Sequence, residues 1–230
     1  MNKKVCLITG ASSGIGMNTA IKLSEIVDHI YISGRDVTRL EEVNDKIIQN
    51  GSECTIVPMD LTLVHGVKEL AKNIFEKEKK IDIIVSSAGR ISQLAPISSQ
   101  NEEEVFKTFE LNFMVNLKLM KEFLPLLRTS SKAKFIILSA LSDKYKKQYW
   151  SAYQPIMAAL NELIKIFAEE NKSSNVKIYP LCPSAVDTNF RNEIMPGENK
   201  DQIFKPEYIA EIIRDIIETD DFKSGKIIKI

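Results

Sequence analysis

The sequence predicts a doubly wound α/β fold, a parallel sheet of about seven strands with helices on both faces, in a single domain spanning residues 1–230. Three observations predict it. Short runs rich in Val and Ile recur seven times, segments with apolar residues every three or four positions lie between most of them, and a glycine-rich loop directly follows the first run. Alternation of strand and helix implies right-handed βαβ units, and runs that are apolar on both sides suit strands covered on both faces.

The first run, KKVCLIT, leads into TGASSGIG, Thr9 to Gly16, and a helix opening near Ile15. HIYISG and CTIVPMD follow, with the helical pattern VTRLEEVNDKIIQN between them, and HGVKELAKNIFEKEKK separates CTIVPMD from IDIIVSS. KFIILSA, VKIYPLC and GKIIKI complete the set. Two helices are predicted to be long, over residues 101–127 and 149–171. The least regular stretch, NFRNEIMPGENKDQIFKP over 189–206, carries one Gly and two Pro and reads as a loop over a binding cleft.

Composition excludes several classes of function. Lys plus Arg and Asp plus Glu are 31 each in 230 residues, so no net field attracts nucleic acid or acidic lipid. No stretch approaches the roughly 20 apolar residues of a membrane span. The start MNKKVCLITG has too short an apolar run for a signal peptide, which predicts a cytoplasmic protein. Cys6, Cys54 and Cys182 lie in strand-like runs with no Cys or His at metal-ligand spacing; reduced core thiols are expected, and no metal site.

The glycine loop points to a dinucleotide. Gly10 permits a tight turn, Gly14 lets a pyrophosphate approach the backbone, Gly16 lets helix and strand pack, and the helix N-terminus faces the phosphates with free N–H groups. At the end of the second strand an acidic residue would bind a ribose 2′-OH, whereas an Arg accommodates a 2′-phosphate. The sequence has Gly34 and Arg35 there, which favours NADP(H) over NAD(H). Asp60 in MDLT is placed to reach the adenine edge, or else to close a turn.

With these residues in hand the chain resembles the short-chain dehydrogenase/reductase family over essentially its whole length, which implies a Rossmann-like fold. TGASSGIG matches the family loop TGxxxGxG; GRD resembles its NADP-preferring strand end; SSAG, Ser86 to Gly89, stands where the family has NNAG; LNFMVNLKLMKEFLPLL matches its long helix; and CPSAVDT resembles PGxVxT. The resemblance places Ser12, Ser13, Ile15, Leu61, Ser87, Ala88, Gly89, Pro183, Val186 and Thr188 against the cofactor, Thr188 at the nicotinamide carboxamide. Asn112 falls at the asparagine that supports a catalytic water and proton relay. The two long helices resemble those that pair in homodimers and homotetramers of the family.

In the family a Ser, a Tyr and a Lys act on a carbonyl or alcohol together with the nicotinamide. Tyr153 aligns with the tyrosine, but the lysine position four residues on holds Met157, and the serine position thirteen residues back holds Ala140. An unperturbed tyrosine has a pKa near 10, so without an adjacent cation only about a thousandth is phenolate at pH 7. Proton donation suffers less, because the neutral phenol is already the required form. Ser139 and Ser142 are the candidate surrogates for the missing hydroxyl; strand alternation turns Ser139 to the opposite side of the sheet, and Ser142 lies past the strand end. Three readings follow from the same residues: an NADP(H)-dependent reductase with a reduced catalytic set, a binding protein that kept the pocket and lost the chemistry, or a dehydratase, isomerase or cyclase on the same scaffold. The substrate is not specified by the sequence.

Overall fold

The computed structural model describes residues 3–140 and 148–230. Seven strands, β1 (Val5–Thr9), β2 (His29–Gly34), β3 (Glu53–Pro58), β4 (Ile83–Ser86), β5 (Ala133–Leu138), β6 (Val176–Cys182) and β7 (Ile228–Lys229), form one sheet in the order β3-β2-β1-β4-β5-β6-β7. Every adjacent pair is parallel. Strand order reverses at the β1–β4 seam, so the connections leaving these two strands diverge to opposite faces and open a crevice at their carboxyl ends.

Two-residue alternation divides the core. Phe135 and Ile137 of β5 join Val5, Leu7 and Ile84 against α3 (Gly66–Glu78), α5 (Val115–Thr129) and α6 (Gln154–Glu170). Ile136 and Leu138 join Cys6, Ile8 and Ile32 against α1 (Gly14–Leu23), α2 (Val37–Gln49) and α8 (Pro206–Glu218). All three cysteines are free; burial raises the pKa of Cys6 and Cys54, which suits inert core thiols. Met120 is buried in the first cluster and Leu124 packs against it, so these two residues of the expected 101–127 helix serve their own core. No helix among the described residues is long and apolar enough to cross a membrane.

Three segments depart from expectation. The long helix over 101–127 is α4 (Glu102–Phe109) and α5 joined by a π-helical turn, Glu110–Met114. Such a turn accommodates one extra residue and bends the helix locally; Asn112 lies within it. Asn101 caps α4 by accepting bonds from the N–H groups of Glu103 and Glu104. The helix expected over 149–171 begins later, at Gln154. Pro155 fits only a first helical turn, and Tyr149 has φ of +78°, a left-handed conformation that no α-helix contains. The stretch 189–206 is more ordered than a plain loop: α7 (Asn189–Ile194) is capped by the Thr188 hydroxyl accepting from Arg191 N, and Phe204 forms a parallel bridge with Val186.

At the opposite end of the sheet the buried carboxylate of Asp82 ties three segments together. It accepts hydrogen bonds from Val5 N at 2.8 Å, Ser130 Oγ at 2.5 Å and Lys80 Nζ at 2.8 Å. Removing it leaves a buried N–H and a buried hydroxyl without their acceptor and a largely covered ammonium without its counter-charge. Asp82→Ala is expected to lower unfolding stability by about 2–4 kcal/mol, read from the urea midpoint, with cofactor affinity in the folded fraction unchanged.

Candidate functional site

A cleft of about 600 Å³ lies across the carboxyl ends of the central strands. Gly10, Ser12, Ser13, Gly14, Ile15, Arg35, Asp60, Leu61, Ser87, Ala88, Gly89, Asn112, Pro183, Val186 and Thr188 all line it, as do Ser139, Ala140, Tyr153 and Met157. Of the described residues named from sequence for this site, only Gly16 is absent from the wall, and its place explains why. A Cβ there would stand 2.3 Å from the Gly10 carbonyl oxygen, so Gly16 serves helix-to-loop packing behind the wall. Gly10 itself turns at φ +67°, with Ala88 so close that a Cβ would sit 2.8 Å from its backbone.

The seam beneath the loop is hydrogen-bonded. Thr9 Oγ1 accepts from Ser87 N at 3.2 Å and Ala88 N at 3.3 Å, which joins the turn after β1 to the turn after β4. The amide of Asn112 clasps the Arg90 backbone at two points, accepting from Arg90 N at 2.9 Å and donating to Arg90 O at 2.7 Å. Asn116, one turn on, donates to the Asn112 carbonyl at 2.7 Å and accepts from Ser86 Oγ at 2.8 Å. Asn112 therefore anchors the wall through its side chain, while its carbonyl is held by Asn116.

At the adenosine end, Arg35 is exposed and makes no hydrogen bond or ion pair among the described residues. Asp60 Oδ1 accepts from both Thr62 N and Thr62 Oγ1, so the turn role foreseen for Asp60 is realised. These bonds, together with the nearby Arg35 charge, hold its carboxyl below the ordinary carboxylate range. A cradle in which Gly10 and Gly16 have no room for Cβ atoms and a helix N-terminus behind it fit a nicotinamide dinucleotide.

The opposite end holds Tyr153. No described residue hydrogen-bonds its hydroxyl, and burial, with Cys182 close by, raises its pKa above the usual tyrosine value. Met157, one turn along α6, is buried against the core and supplies no charge to oppose that shift. Ser139 is not turned to the far side of the sheet. It keeps the α6 face that Phe135 and Ile137 take by alternation, and Ala140, past the end of β5 where alternation lapses, packs on that face too. The Ser139 hydroxyl donates to Asn161 Oδ1 at 2.7 Å, while Asn161 Nδ2 donates to Ala140 O at 2.8 Å. The Ser139 proton is thereby committed, and the Ala140 methyl leaves the cleft without a donor at that point. Ser142 lies outside the described residues.

Asn161, Asn116 and Arg90 were not foreseen. Asn161 and Asn116 are amides on otherwise apolar helix faces, Asn116 four residues after Asn112, and that buried spacing was the available signal. Trp150, and Phe190 from the stretch expected to lie over a cleft, line the cleft beside Tyr153. Their ring centroids lie 6.0 Å and 6.1 Å from that of Tyr153. The left-handed Tyr149 immediately before Trp150 costs on the order of 1–3 kcal/mol, strain of the kind that collects at binding sites.

A family model described as short chain dehydrogenase matches residues 4–199. The chain is 27% identical to a benzil reductase ((S)-benzoin forming) of Bacillus cereus, over 97% of this chain and 98% of that one. It is 31% identical to a benzil reductase of Saccharomyces cerevisiae, over 83% of this chain and 74% of the relative. Among solved structures, an alcohol dehydrogenase from Thermococcus sibiricus complexed with 5-hydroxy-NADP superposes with a TM-score of 0.89 at 27% identity, covering 99% of this chain and 96% of that one. With a seven-stranded parallel sheet, a glycine cradle at its switch point and a tyrosine opposite, the chain belongs to the short-chain dehydrogenase/reductase family of oxidoreductases.

Proposed function

We propose that this chain is an NADPH-dependent carbonyl reductase that works in the reductive direction, with Tyr153 as proton donor. One observation carries the reading: the Tyr153 hydroxyl has no hydrogen-bond partner among the described residues in a cleft that also contains the dinucleotide cradle, and its environment keeps it protonated. The cofactor, when bound, supplies a hydride to the carbonyl carbon. The chain's own part is to hold that cofactor and to deliver the phenolic proton to the oxygen as it gains charge.

Gly10 and Gly14 give the phosphates access to the loop backbone and the start of α1, and Arg35 is placed for a 2′-phosphate. Thr188, already capping α7, closes the nicotinamide end. The relatives' printed activity, reduction of benzil, and the NADP analogue in the Thermococcus structure support both the reaction class and the cofactor. Exposed Phe106 on α4 and Ile166 on α6 support a homo-oligomer formed through these helices. A second reading, cofactor binding without turnover, is favoured by the apolar pair Ala140 and Met157.

The direction follows from proton energetics. A phenol whose pKa is raised stays protonated through neutral and mildly alkaline pH, so it can donate throughout but accepts poorly. Alcohol oxidation needs the phenolate, which a lysine at position 157 would favour and methionine does not.

Arg35→Ala is expected to weaken NADPH binding about 10- to 100-fold by calorimetry and leave NADH binding within about twofold, since only the 2′-phosphate loses a charge-assisted bond. Carbonyl reduction followed by NADPH absorbance should show no alkaline limb from Tyr153 between pH 6 and pH 9, and Tyr153→Phe should reduce the rate by about 10² or more. Ala140→Ser combined with Met157→Lys is expected to raise turnover by about 10² or more and to introduce a falling alkaline limb, because the new cation lowers the phenol pKa. Bound NADPH with no turnover would establish the binding-only reading instead, and a rate unchanged in Tyr153→Phe would remove Tyr153 as the proton donor.

A further inference from the structure

We infer that the compound taken by this cleft is neutral and carries an aromatic ring next to its carbonyl group, seated between Trp150 and Phe190. The inference rests on the reductase reading only for placing the carbonyl at Tyr153.

Two rings flank the tyrosine from different elements. Trp150 comes from the turn that precedes α6 and meets Tyr153 at a 64° interplanar angle; Phe190 comes from the first turn of α7 and meets it at 54°. Both separations lie within the span over which aromatic pairs attract, and both rings border the cleft. Ile194, one turn beyond Phe190, and Met157 add apolar wall to the same cleft as the two rings and Tyr153. An aryl ring brought there meets edges and faces at favourable angles, whereas a saturated ring of the same size gains only burial.

Charge on the wall argues for neutrality. Arg90 is paired with Glu104, Lys107 with Glu103 and Glu104, and Arg191 with Glu198 through two bonds at 2.6 Å. A substrate carboxylate would have to displace one of these partners, in a wall that also contains Glu110. Among the described residues the cations at this end, Arg90, Lys107 and Arg191, are thus already paired, unlike Arg35 at the other.

The strained backbone at Tyr149 supports a dedicated role for the turn. Tyr149 itself remains half exposed, so its left-handed conformation places the next residue, Trp150, over the cleft without burying Tyr149.

The test compares acetophenone with cyclohexyl methyl ketone, which share a skeleton and differ in ring unsaturation, by calorimetry on the full chain saturated with NADP+. Acetophenone is expected to bind about tenfold more tightly. It should also change the emission of Trp150, the only tryptophan in the sequence. Trp150→Leu and Phe190→Leu should each reduce the preference to about twofold or less. Equal affinities in the unaltered protein, no binding of either ketone, or a preference that survives both substitutions would overturn the inference. Failure of NADP+ to bind would sink the reductase reading; the same ketone comparison on cofactor-free protein would still decide this one by the same ratio.

Discussion

The site depends first on the seam between β1 and β4. Neighbouring parallel strands whose connections leave toward opposite faces cannot close over their carboxyl ends, and the gap they leave is the crevice. Here the gap is held at a fixed width by the Thr9 hydroxyl, which accepts from Ser87 N and Ala88 N, and by Gly10, which lies against the Ala88 backbone. Any side chain at position 10 would push the two turns apart. The crevice width is therefore a packing property of the sheet, set before any ligand arrives.

Three asparagines extend that geometry toward the chemistry. Asn112 fixes the backbone of Arg90, Asn116 fixes Asn112 and Ser86, and Asn161 joins Ser139 to the carbonyl of Ala140. Each is buried, and each satisfies groups that would otherwise be stranded where strands end and ladder bonds run out. The same bonds explain why Ser139 does not stand in for a hydroxyl at position 140. Its proton helps hold the wall and is not available to a ligand.

The strands and the cofactor end were legible in the sequence because both follow from local rules. Seven Val- and Ile-rich runs became the seven strands, and the loop glycines sit where turn geometry and close approach require them. What was not legible depends on contacts distant in sequence. The π-helical turn at Glu110–Met114 goes with an Asn112 amide held by Arg90, 22 residues away. The later start of α6 depended on Pro155 and on the left-handed Tyr149, and of these only the proline shows in the sequence. Phe190 became a neighbour of Tyr153 through the cap at Thr188, which turned a stretch of loop-like composition into α7.

The two ends of the cleft are held by different kinds of constraint. The cradle is backbone: a Cβ at Gly16 would meet a carbonyl oxygen and one at Gly10 a neighbouring chain, so the fold itself enforces these residues whether or not chemistry follows. The far end is side chain, and there Met157 satisfies the core at least as well as a lysine, because burying a thioether incurs no desolvation of charge. An intact cradle is thus weak evidence for turnover, since packing alone would preserve it. Tyr153 is a different case. Phenylalanine would fill the same space among Trp150, Phe190 and the core, and no described residue hydrogen-bonds the Tyr153 hydroxyl, so packing gives no reason for its oxygen. That oxygen is the feature that stability does not explain, and the proposed role as proton donor would account for it.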